Sequence, residues 1–143
     1  MQVAINGNAI EVPPIKCLIV DDSAFARFHM RRLMDSFGNV QASEAANGNE
    51  AIREYRRVRP DFVLMDIVMP GLEGVEAVKE ICAADPAAKV IMISSLSHKE
   101  KVAEAFAAGA RYFIPKPVTT MVLREAIEEV LRAIGKDWPG ATV

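Results

Sequence analysis

The chain has 143 residues, of which 51% are hydrophobic and 25% charged, and its formal net charge at pH 7 is −2. This length suits one domain with a proper core and is too short for two domains of ordinary size. The slight negative charge and the aromatic content of 6% argue against nucleic acid as a partner, because its phosphates attract basic surfaces and its bases stack on aromatic rings. No apolar run approaches the length of a bilayer span. We therefore expect neither nucleic acid nor a membrane as a partner.

The amino terminus and the cysteines predict a cytoplasmic protein. Residues 1–12 have neither the basic start nor the sustained apolar run of a signal peptide. Cys17 falls in a predicted strand and Cys82 on the apolar side of a predicted helix, and their spacing matches no metal site. Both are interpreted as small core residues in a reducing compartment.

Residues 1–14 are predicted to form an extension that precedes the domain. Two short apolar alternations flank Asn6-Gly7, which is the strongest short-range signal for a β-hairpin. An isolated two-stranded hairpin is marginal in water, so a partly ordered tail remains the alternative interpretation. At the other end, residues 135–143 have no periodicity and are predicted to form a tail.

Residues 15–134 are predicted to form one domain, in which five strands alternate with five helices. The strands are predicted at 15–20, 40–45, 62–66, 89–94 and 111–115. Helices are predicted at about 23–37, from 48 to Pro60, between the turns at 69–71 and 85–86, at 98–108 and at 119–134. This alternation with short loops favours a parallel sheet covered by helices on both faces. Strand 40–45 alternates apolar with polar residues, which is typical of a sheet edge.

Polar side chains follow four of the five predicted strands at the points where those strands end. Asp66 ends the apolar run 62–66, and the other strand ends are followed by Asp21-Asp22, Ser94-Ser95 and Lys116-Pro117. Because the carboxyl ends of parallel strands share one edge of a sheet, these groups are predicted to converge. Taken singly, an acidic pair at a helix start or a solvated lysine would need no functional explanation.

Three close carboxylates repel one another unless a cation joins them. Oxygen ligands without cysteine or histidine suit a hard cation, and Mg²⁺ commonly binds through one or two carboxylates, water and a phosphate. A lysine supplies positive charge to a phosphoryl oxygen, and a carboxylate is able to act as the nucleophile that forms an aspartyl phosphate. The residue types therefore indicate Mg²⁺ and phosphoryl chemistry at this edge of the sheet.

The motifs also carry a resemblance to a known family. Asp21-Asp22-Ser23, the run 63–71 (VLMDIVMPG), Ser94-Ser95, Gly109-Ala110 and the run 113–117 (FIPKP) resemble the receiver domain of two-component response regulators. The likeness extends over about residues 16–134. It implies a flavodoxin-like, doubly wound (βα)5 fold with a five-stranded parallel sheet in the order 2-1-3-4-5. It also implies a cis peptide bond between Lys116 and Pro117, which a proline permits in a tight turn.

The resemblance implies a role for each acidic residue. Asp66 would accept a phosphoryl group from a histidine kinase. Asp22, Asp66 and the backbone carbonyl of Val68 would bind Mg²⁺ directly, and Asp21 would contact the ion through water. Lys116 would pair with Asp66 or with its phosphoryl group.

The resemblance also implies a switch and two docking surfaces. Ser94 would bind a phosphoryl oxygen, and the aromatic ring of Phe113 would turn inward as Ser94 moves. The face on which a downstream protein would bind is predicted to include Lys99, Val102, Phe106, Phe113, Pro115 and Ala126. On the first helix, the kinase-docking positions are predicted to be Phe25, Phe28 and His29.

The resulting interpretation is a stand-alone response regulator that acts by protein contact. It is not an enzyme beyond its own phosphorylation and dephosphorylation. A degenerate receiver that serves as a constitutive interaction module is the alternative. A phosphatase of the haloacid-dehalogenase type would carry a second aspartate two residues after the nucleophile, where this chain has Val68. The sequence identifies neither the kinase nor the target, and it assigns no oligomeric state.

Overall fold

The computed structural model of the chain describes the backbone of residues 2–5 and 8–11 and the complete residues 14–69, 74–133 and 135. Near the amino terminus, β1 (Gln2–Ile5) and β2 (Asn8–Glu11) pair in antiparallel fashion. Asn6 and Gly7, the predicted turn, lie outside the described residues.

The central element is a five-stranded parallel sheet. Its strands are β3 (Ile15–Val20), β4 (Val40–Ala45), β5 (Phe62–Asp66), β6 (Val90–Ser94) and β7 (Tyr112–Pro115). They lie in the order β4-β3-β5-β6-β7, and every neighbouring pair is parallel. Numbered within the sheet alone, this is the order 2-1-3-4-5, so the predicted fold is confirmed. The alternating strand β4 lies at an edge, as predicted.

Five helices connect the strands. They are α1 (Ala24–Ser36), α2 (Gly48–Val58), α3 (Gly74–Ala84), α4 (Lys99–Ala108) and α5 (Thr120–Arg132). A short 3-10 turn, Leu96–His98, precedes α4. The helix limits agree with the sequence prediction to within two residues where both ends are described, and Ile134 lies outside the described residues.

The buried side chains of the sheet alternate between two cores, as the two-residue period of a strand requires. On one face Val63 and Met65 of β5 pack with residues of α2, α3 and α4. On the other face Phe62 and Leu64 pack with residues of α1 and α5. All five residues of β5 are buried, because this strand is central and covered on both sides.

Side-chain caps fix where the helices begin near the carboxyl edge of the sheet. The Oγ of Ser23 accepts a hydrogen bond from the backbone N–H of Ala26 at 3.2 Å. Thr119 does the same for Val122 at 3.3 Å. Such caps satisfy amide groups that have no partner inside the helix. They also fix the loops that carry the polar residues at the strand ends.

Among the described helices, none has both the length and the apolar character that crossing a membrane would require.

Candidate functional site

Three carboxylates meet at the carboxyl edge of the sheet. Asp21, Asp22 and Asp66 each offer an oxygen atom, and these atoms lie within 4.8 Å of one another. Asp66 ends β5, while Asp21 and Asp22 lie in the loop between β3 and α1. Since β3 and β5 are neighbours in the sheet, the fold brings together the acidic residues that the sequence predicted to converge.

The three carboxylates differ in exposure. Asp66 is 6% exposed, whereas Asp21 is half-buried and Asp22 is exposed. One oxygen of Asp66, Oδ1, accepts a hydrogen bond from the backbone N–H of Val68 at 3.3 Å. The Oδ1 of Asp21 accepts one from the backbone N–H of Ser23 at 2.9 Å. The site is thus a pocket with a buried carboxylate at its base and solvent-accessible carboxylates beside it.

Burial and neighbouring negative charge make two of these carboxylates, Asp66 and Asp21, more basic than usual. Burial raises the pKa of Asp66, the nearby charge of Asp21 raises it further, and Lys116 partly offsets both effects. Burial also raises the pKa of Asp21, although the hydrogen bond from Ser23 opposes the change. The local negative charge is therefore not fully balanced by the protein itself.

Lys116 supplies positive charge to this pocket. Its Nζ lies 3.6 Å from Oδ1 of Asp66, and 45% of the lysine side chain is exposed to solvent. The peptide bond between Lys116 and Pro117 is cis, as the resemblance implied. The backbone N–H of Lys116 donates to the carbonyl oxygen of Ser94 at 2.9 Å, which connects the lysine to the end of β6.

Ser94 lies at the end of β6 and is 2% exposed. Its Oγ is 3.2 Å from Nδ1 of His98, and the Oγ of Ser95 is 3.0 Å from the same ring nitrogen. Ser95 also bonds to the hydroxyl of Ser97 at 2.6 Å. Sequence reasoning found Ser94 but not His98, because this contact depends on the 3-10 turn that folds residue 98 back toward β6.

Gly74 is a second residue that sequence reasoning missed. Its backbone N–H donates to the carbonyl oxygen of Ile67 at 3.1 Å. A Cβ atom at this position would collide with the carbonyl oxygen of Asp66 and would lie 2.8 Å from the Cα of Ile67. The start of α3 therefore packs directly on the backbone of the acidic strand end, which requires a residue without a side chain. A glycine inside a predicted helix was the available signal.

Arg27 stabilises the loop that carries the other two carboxylates. Its Nη1 donates to the backbone carbonyl oxygen of Asp21 at 2.7 Å. Its Nε lies 3.1 Å from Glu44, which Arg31 also contacts at 2.8 Å. The acidic loop is thus connected to the edge strand β4 through α1. This contact was also absent from the sequence prediction.

The predicted kinase-docking residues lie on the exposed side of α1. Phe25 is 80% exposed and Phe28 is 57% exposed, and the guanidinium carbon of Arg32 lies 5.8 Å from the centroid of the Phe28 ring. Beside them is a mostly apolar groove of about 540 Å³ that reaches the acidic pocket. It is lined by Asp21, Phe25, Ala26, His29, Met30, Ile93, Lys116, Pro117 and Val118.

One residue of the predicted partner face is misplaced. Ala126 has no exposed surface and packs in the core between the sheet, α1 and α5, so its side chain is not available to a partner. The prediction for Ala126 was wrong because α5 turns this small residue toward the sheet. The remaining positions are exposed or half-buried: Lys99, Val102, Phe106, Phe113 and Pro115.

Phe113, the predicted switch residue, is half-buried. Like Val102 and Ala108, it packs against the core that α2, α3 and α4 cover. It also lies opposite Met92 in the pairing of β6 with β7, two residues before the position that faces Ser94. Its ring is therefore neither fully inside the core nor fully in solvent.

The residues present fit a hard divalent cation. All the candidate ligands among the clustered residues are carboxylate oxygens, and two of the three have pKa values raised by burial and by neighbouring negative charge. A cation would relieve that repulsion, and oxygen ligands of this kind suit Mg²⁺. Val68 lies beside this cluster, since its N–H contacts Asp66.

Comparison with known proteins identifies the family. Residues 17–128 match the model of the response regulator receiver domain. The chain belongs to this family. Its receiver domain is 43% identical over 115 residues to the chemotaxis protein CheY of Thermotoga maritima, a match that covers 80% of this chain and 96% of that protein. It is 40% identical over 116 residues to the CheY of Bacillus subtilis, covering 81% of this chain and 97% of that protein.

The receiver domain also resembles solved structures. One is the CheX–CheY–BeF3–Mg²⁺ complex of Borrelia burgdorferi, with a TM-score of 0.76 and 34% identity over 82% of this chain and 90% of that chain. Another is the response regulator domain of Thermotoga maritima CheB, with a TM-score of 0.73 and 36% identity over 87% of this chain and 98% of that chain. Receiver domains bind Mg²⁺ at an acidic pocket, and this chain has a group of three carboxylates, Asp21, Asp22 and Asp66.

Proposed function

We propose that this receiver domain accepts a phosphoryl group on Asp66 from a histidine kinase, in a Mg²⁺-dependent reaction, and then binds a downstream protein through an altered surface. The observation that carries the proposal is the pairing of Lys116 with Asp66 at 3.6 Å inside a cluster of three carboxylates. A buried carboxylate with one cation beside it and further acidic groups next to it suits a nucleophile that works with a metal ion.

Asp66, Asp22 and the backbone carbonyl of Val68 would hold Mg²⁺, with Asp21 acting through water. The bound ion would neutralise negative charge on the carboxylates and on the incoming phosphoryl group. An oxygen of Asp66 then forms a bond to phosphorus as the bond from phosphorus to the kinase imidazole breaks. Lys116 stabilises the charge that spreads over the phosphoryl oxygens, while β5 holds the carboxylate in place.

Ser94 and Phe113 would transmit the change. The Ser94 hydroxyl donates a hydrogen bond to a phosphoryl oxygen, which draws the end of β6 toward Asp66. Two features support a link to the surface: Ser94 lies opposite Pro115 in the β6–β7 pairing, and Phe113 on β7 is half-buried. Phosphorylation would thus shift an equilibrium between two positions of the Phe113 ring.

The downstream partner would bind the face formed by α4, β7 and the start of α5. Phe106 is 44% exposed, Lys99 and Pro115 are exposed, and Val102 is half-buried. Exposed apolar groups that lie together are typical of an interaction surface. In the Borrelia complex a related CheY is found with CheX, which supports a protein as the target here.

The kinase would dock on α1 and the adjoining groove. Phe25 is largely exposed, and it lines a groove that also contains Asp21 and Lys116 of the acidic pocket. His29 borders the same groove, and Phe28 lies one helical turn from Phe25. A partner bound here would deliver its phosphoryl group next to Asp66, so recognition and transfer would take place at adjoining sites.

The receiver domain would act as a switch that catalyses at most its own phosphorylation and dephosphorylation. The constitutive module is not favoured, because each predicted acidic and basic residue is present and the structure brings Asp21, Asp22, Asp66 and Lys116 together.

Incubation with acetyl phosphate tests the proposal. The intact mass of the wild-type protein, recorded with and without Mg²⁺, is compared with that of the Asp66→Asn variant. The proposal predicts a single phosphoryl adduct that requires both Mg²⁺ and Asp66. An adduct of equal yield in Asp66→Asn, or no adduct with Mg²⁺ present, would contradict it.

A further inference from the structure

His98 makes a contact with the Ser94 hydroxyl that the phosphorylation chemistry described above does not use. Ser94 Oγ lies 3.2 Å from Nδ1 of His98, and the serine is 2% exposed. Within the described part of the chain, His98 is the side-chain partner found for this hydroxyl. The histidine itself is half-buried at the end of the 3-10 turn.

The direction of this hydrogen bond follows from the burial of Ser94. A buried hydroxyl that donates to no acceptor is costly. If Nδ1 of His98 carried a proton, the ring would donate to Ser94, and the serine proton would lack an acceptor in this contact. If Nδ1 is unprotonated, Ser94 donates to it and the burial cost is avoided. The hydroxyl of Ser95, 3.0 Å from the same nitrogen, then also donates to it and accepts a hydrogen bond from the hydroxyl of Ser97 at 2.6 Å.

A hydroxyl group has one proton and so donates one hydrogen bond. A phosphoryl oxygen on Asp66 is an acceptor, so Ser94 binds it by donating that same proton. The ring nitrogen of His98 and the phosphoryl oxygen therefore compete for one donor. The Ser94 side chain therefore points toward whichever of the two acceptors receives its hydrogen bond.

We propose that His98 is a positioning residue that holds the Ser94 hydroxyl in its resting orientation and thereby opposes the phosphorylated state. This inference rests on the proposed phosphorylation of Asp66 and adds a regulator of its switch. Loss of the His98 acceptor frees the serine proton for the phosphoryl group. The balance between resting and activated forms is then set partly from the 3-10 turn before α4, outside the acidic cluster.

His98 connects the proposed phosphorylation site, through Ser94, with the proposed partner face on α4. His98 immediately precedes α4, which begins at Lys99, and it is half-buried at a cavity lined by residues 96–101. When Ser94 leaves His98, the imidazole loses a partner at the start of the helix that carries the proposed partner face. The switch hydroxyl and the first turn of α4 are therefore coupled by a direct contact.

Beryllofluoride with Mg²⁺ is the probe that tests this, because it mimics a phosphoryl group without a covalent bond. Its dissociation constant is measured by ¹H–¹⁵N NMR titration for the wild type, His98→Leu and His98→Asn. Leucine removes the acceptor, whereas asparagine keeps an amide oxygen near the position of Nδ1. We expect His98→Leu to bind about fivefold more tightly than the wild type, in line with the loss of one competing hydrogen bond, and His98→Asn to stay close to the wild type.

Further variants separate positioning from general effects on the fold. In a Ser94→Ala background, His98→Leu is expected to have no effect on the dissociation constant, because the donor is gone. Glu104→Gln, an exposed change on α4, serves as a matched control and is expected to leave the constant unchanged. Thermal unfolding of each variant checks that the protein is folded at the temperature at which its dissociation constant is measured.

A second measurement needs no substitution at residue 98. Long-range ¹H–¹⁵N NMR of the histidine rings reports which nitrogen carries the proton, and His29, the other histidine of the chain, is the internal reference. We expect Nδ1 of His98 to be unprotonated, and its resonance to move on addition of beryllofluoride while that of His29 moves less.

The outcomes are distinct. If the wild type binds beryllofluoride but His98→Leu binds with equal or lower affinity, the positioning role is wrong and the proposed function stands. The role is also wrong if Nδ1 of His98 carries the proton in the resting protein. If the wild type fails to bind beryllofluoride with Mg²⁺, the proposed function fails and the inference fails with it.

Discussion

Lys116 places its Nζ 3.6 Å from Oδ1 of Asp66, although the strands that lead to these two residues are not neighbours. Asp66 ends β5 and Lys116 follows β7, and β6 lies between them in the sheet. The lysine therefore reaches across the end of β6, where Ser94 accepts a hydrogen bond from its backbone N–H. This arrangement places one positive charge next to the buried carboxylate while most of the pocket remains acidic.

Replacement of Lys116 by alanine is expected to slow phosphorylation of Asp66 by acetyl phosphate about 100-fold, the usual effect of removing one preorganised group that stabilises transition-state charge. Rates are followed by intact mass at saturating Mg²⁺. Lys79→Ala removes an exposed lysine that pairs with Glu76 on α3 and is the matched control. A rate for Lys116→Ala within twofold of that control would show that the ammonium group plays no part in transfer.

Gly74→Ala is expected to disturb the acidic pocket without touching a carboxylate. The added Cβ would meet the carbonyl oxygen of Asp66 and would lie 2.8 Å from Ile67 Cα, so α3 or the strand end must shift. Overpacking of this kind costs about 3 kcal/mol in the free energy of unfolding, measured by urea denaturation. We also expect weaker Mg²⁺ binding. Glu76→Ala, an exposed change in the same helical turn, should alter neither quantity, and a Gly74→Ala protein of wild-type stability would refute the argument.

The pKa of Asp66 predicts a pH dependence of stability in the absence of Mg²⁺. Burial and the charge of Asp21 raise this pKa, so the folded state binds the proton more tightly than the unfolded state. The stability that Asp66 contributes is therefore fully present below its unfolded pKa and is lost as pH rises through the folded pKa. Asp66→Asn removes the charge with little change in shape. It is expected to raise the free energy of unfolding at pH 7 by about 1 kcal/mol, and the gain should vanish below about pH 4.

Asp85→Asn is a control that is expected to change the free energy of unfolding at pH 7 in the opposite direction to Asp66→Asn. The Tyr55 hydroxyl donates to Asp85 Oδ2 at 2.6 Å, and this bond lowers the pKa of Asp85. The stability from Asp85 is present above its unfolded pKa and is lost as pH falls through the folded pKa, so Asp85→Asn should destabilise the protein at pH 7. If both variants change stability in the same direction at pH 7, the electrostatic account of the pocket is wrong.

Phe25→Ala is expected to slow phosphotransfer from the cognate histidine kinase by about tenfold or more, as for an exposed aromatic anchor, and to leave phosphorylation by acetyl phosphate unchanged. The comparison of the two phosphoryl donors separates docking from chemistry, because acetyl phosphate needs no docking surface. Met121→Ala, which removes a side chain that is 71% exposed on α5, is the control. If the rate of transfer from every cognate kinase is unchanged, Phe25 plays no part in docking.

Much of the fold was predictable because the residue patterns of its strands and helices are regular and locally consistent. The apolar run of β5 ends in Asp66, and turn residues separate it from α3, so strand, loop and site position follow from one stretch of sequence. The convergence of Asp21, Asp66 and Lys116 then follows from the geometry of parallel sheets.

The burial of Ala126 was predictable from the spacing of apolar residues in α5. The prediction instead followed the matching position in the family, which is on the partner face. Ala126 lies three residues after Leu123 and one before Ile127, both of which are fully buried. This spacing already places Ala126 on the core stripe of α5. A small residue there lets the helix pack closely against the sheet, which explains why it is buried.

The site residues that the sequence analysis did not find depend on tertiary contacts. Gly74 is required because α3 meets the backbone at Asp66 and Ile67. A glycine inside a predicted helix marks an unusual position, but the sequence does not report which backbone segment it approaches. His98 reaches Ser94 because the backbone forms a 3-10 turn between them. Such contacts join residues through the folded chain and not through periodicity, so the sequence alone did not predict them.

Chemical trapping at Asp66 tests the central claim most directly. The protein is phosphorylated by acetyl phosphate and Mg²⁺ and then reduced with borohydride, which converts an aspartyl phosphate to homoserine at the modified position. Peptide mass spectrometry then locates the homoserine. We predict homoserine at residue 66 and at no other aspartate. Homoserine at Asp21 or Asp22, or an unmodified residue 66 in protein that carries a phosphoryl group, would contradict the account.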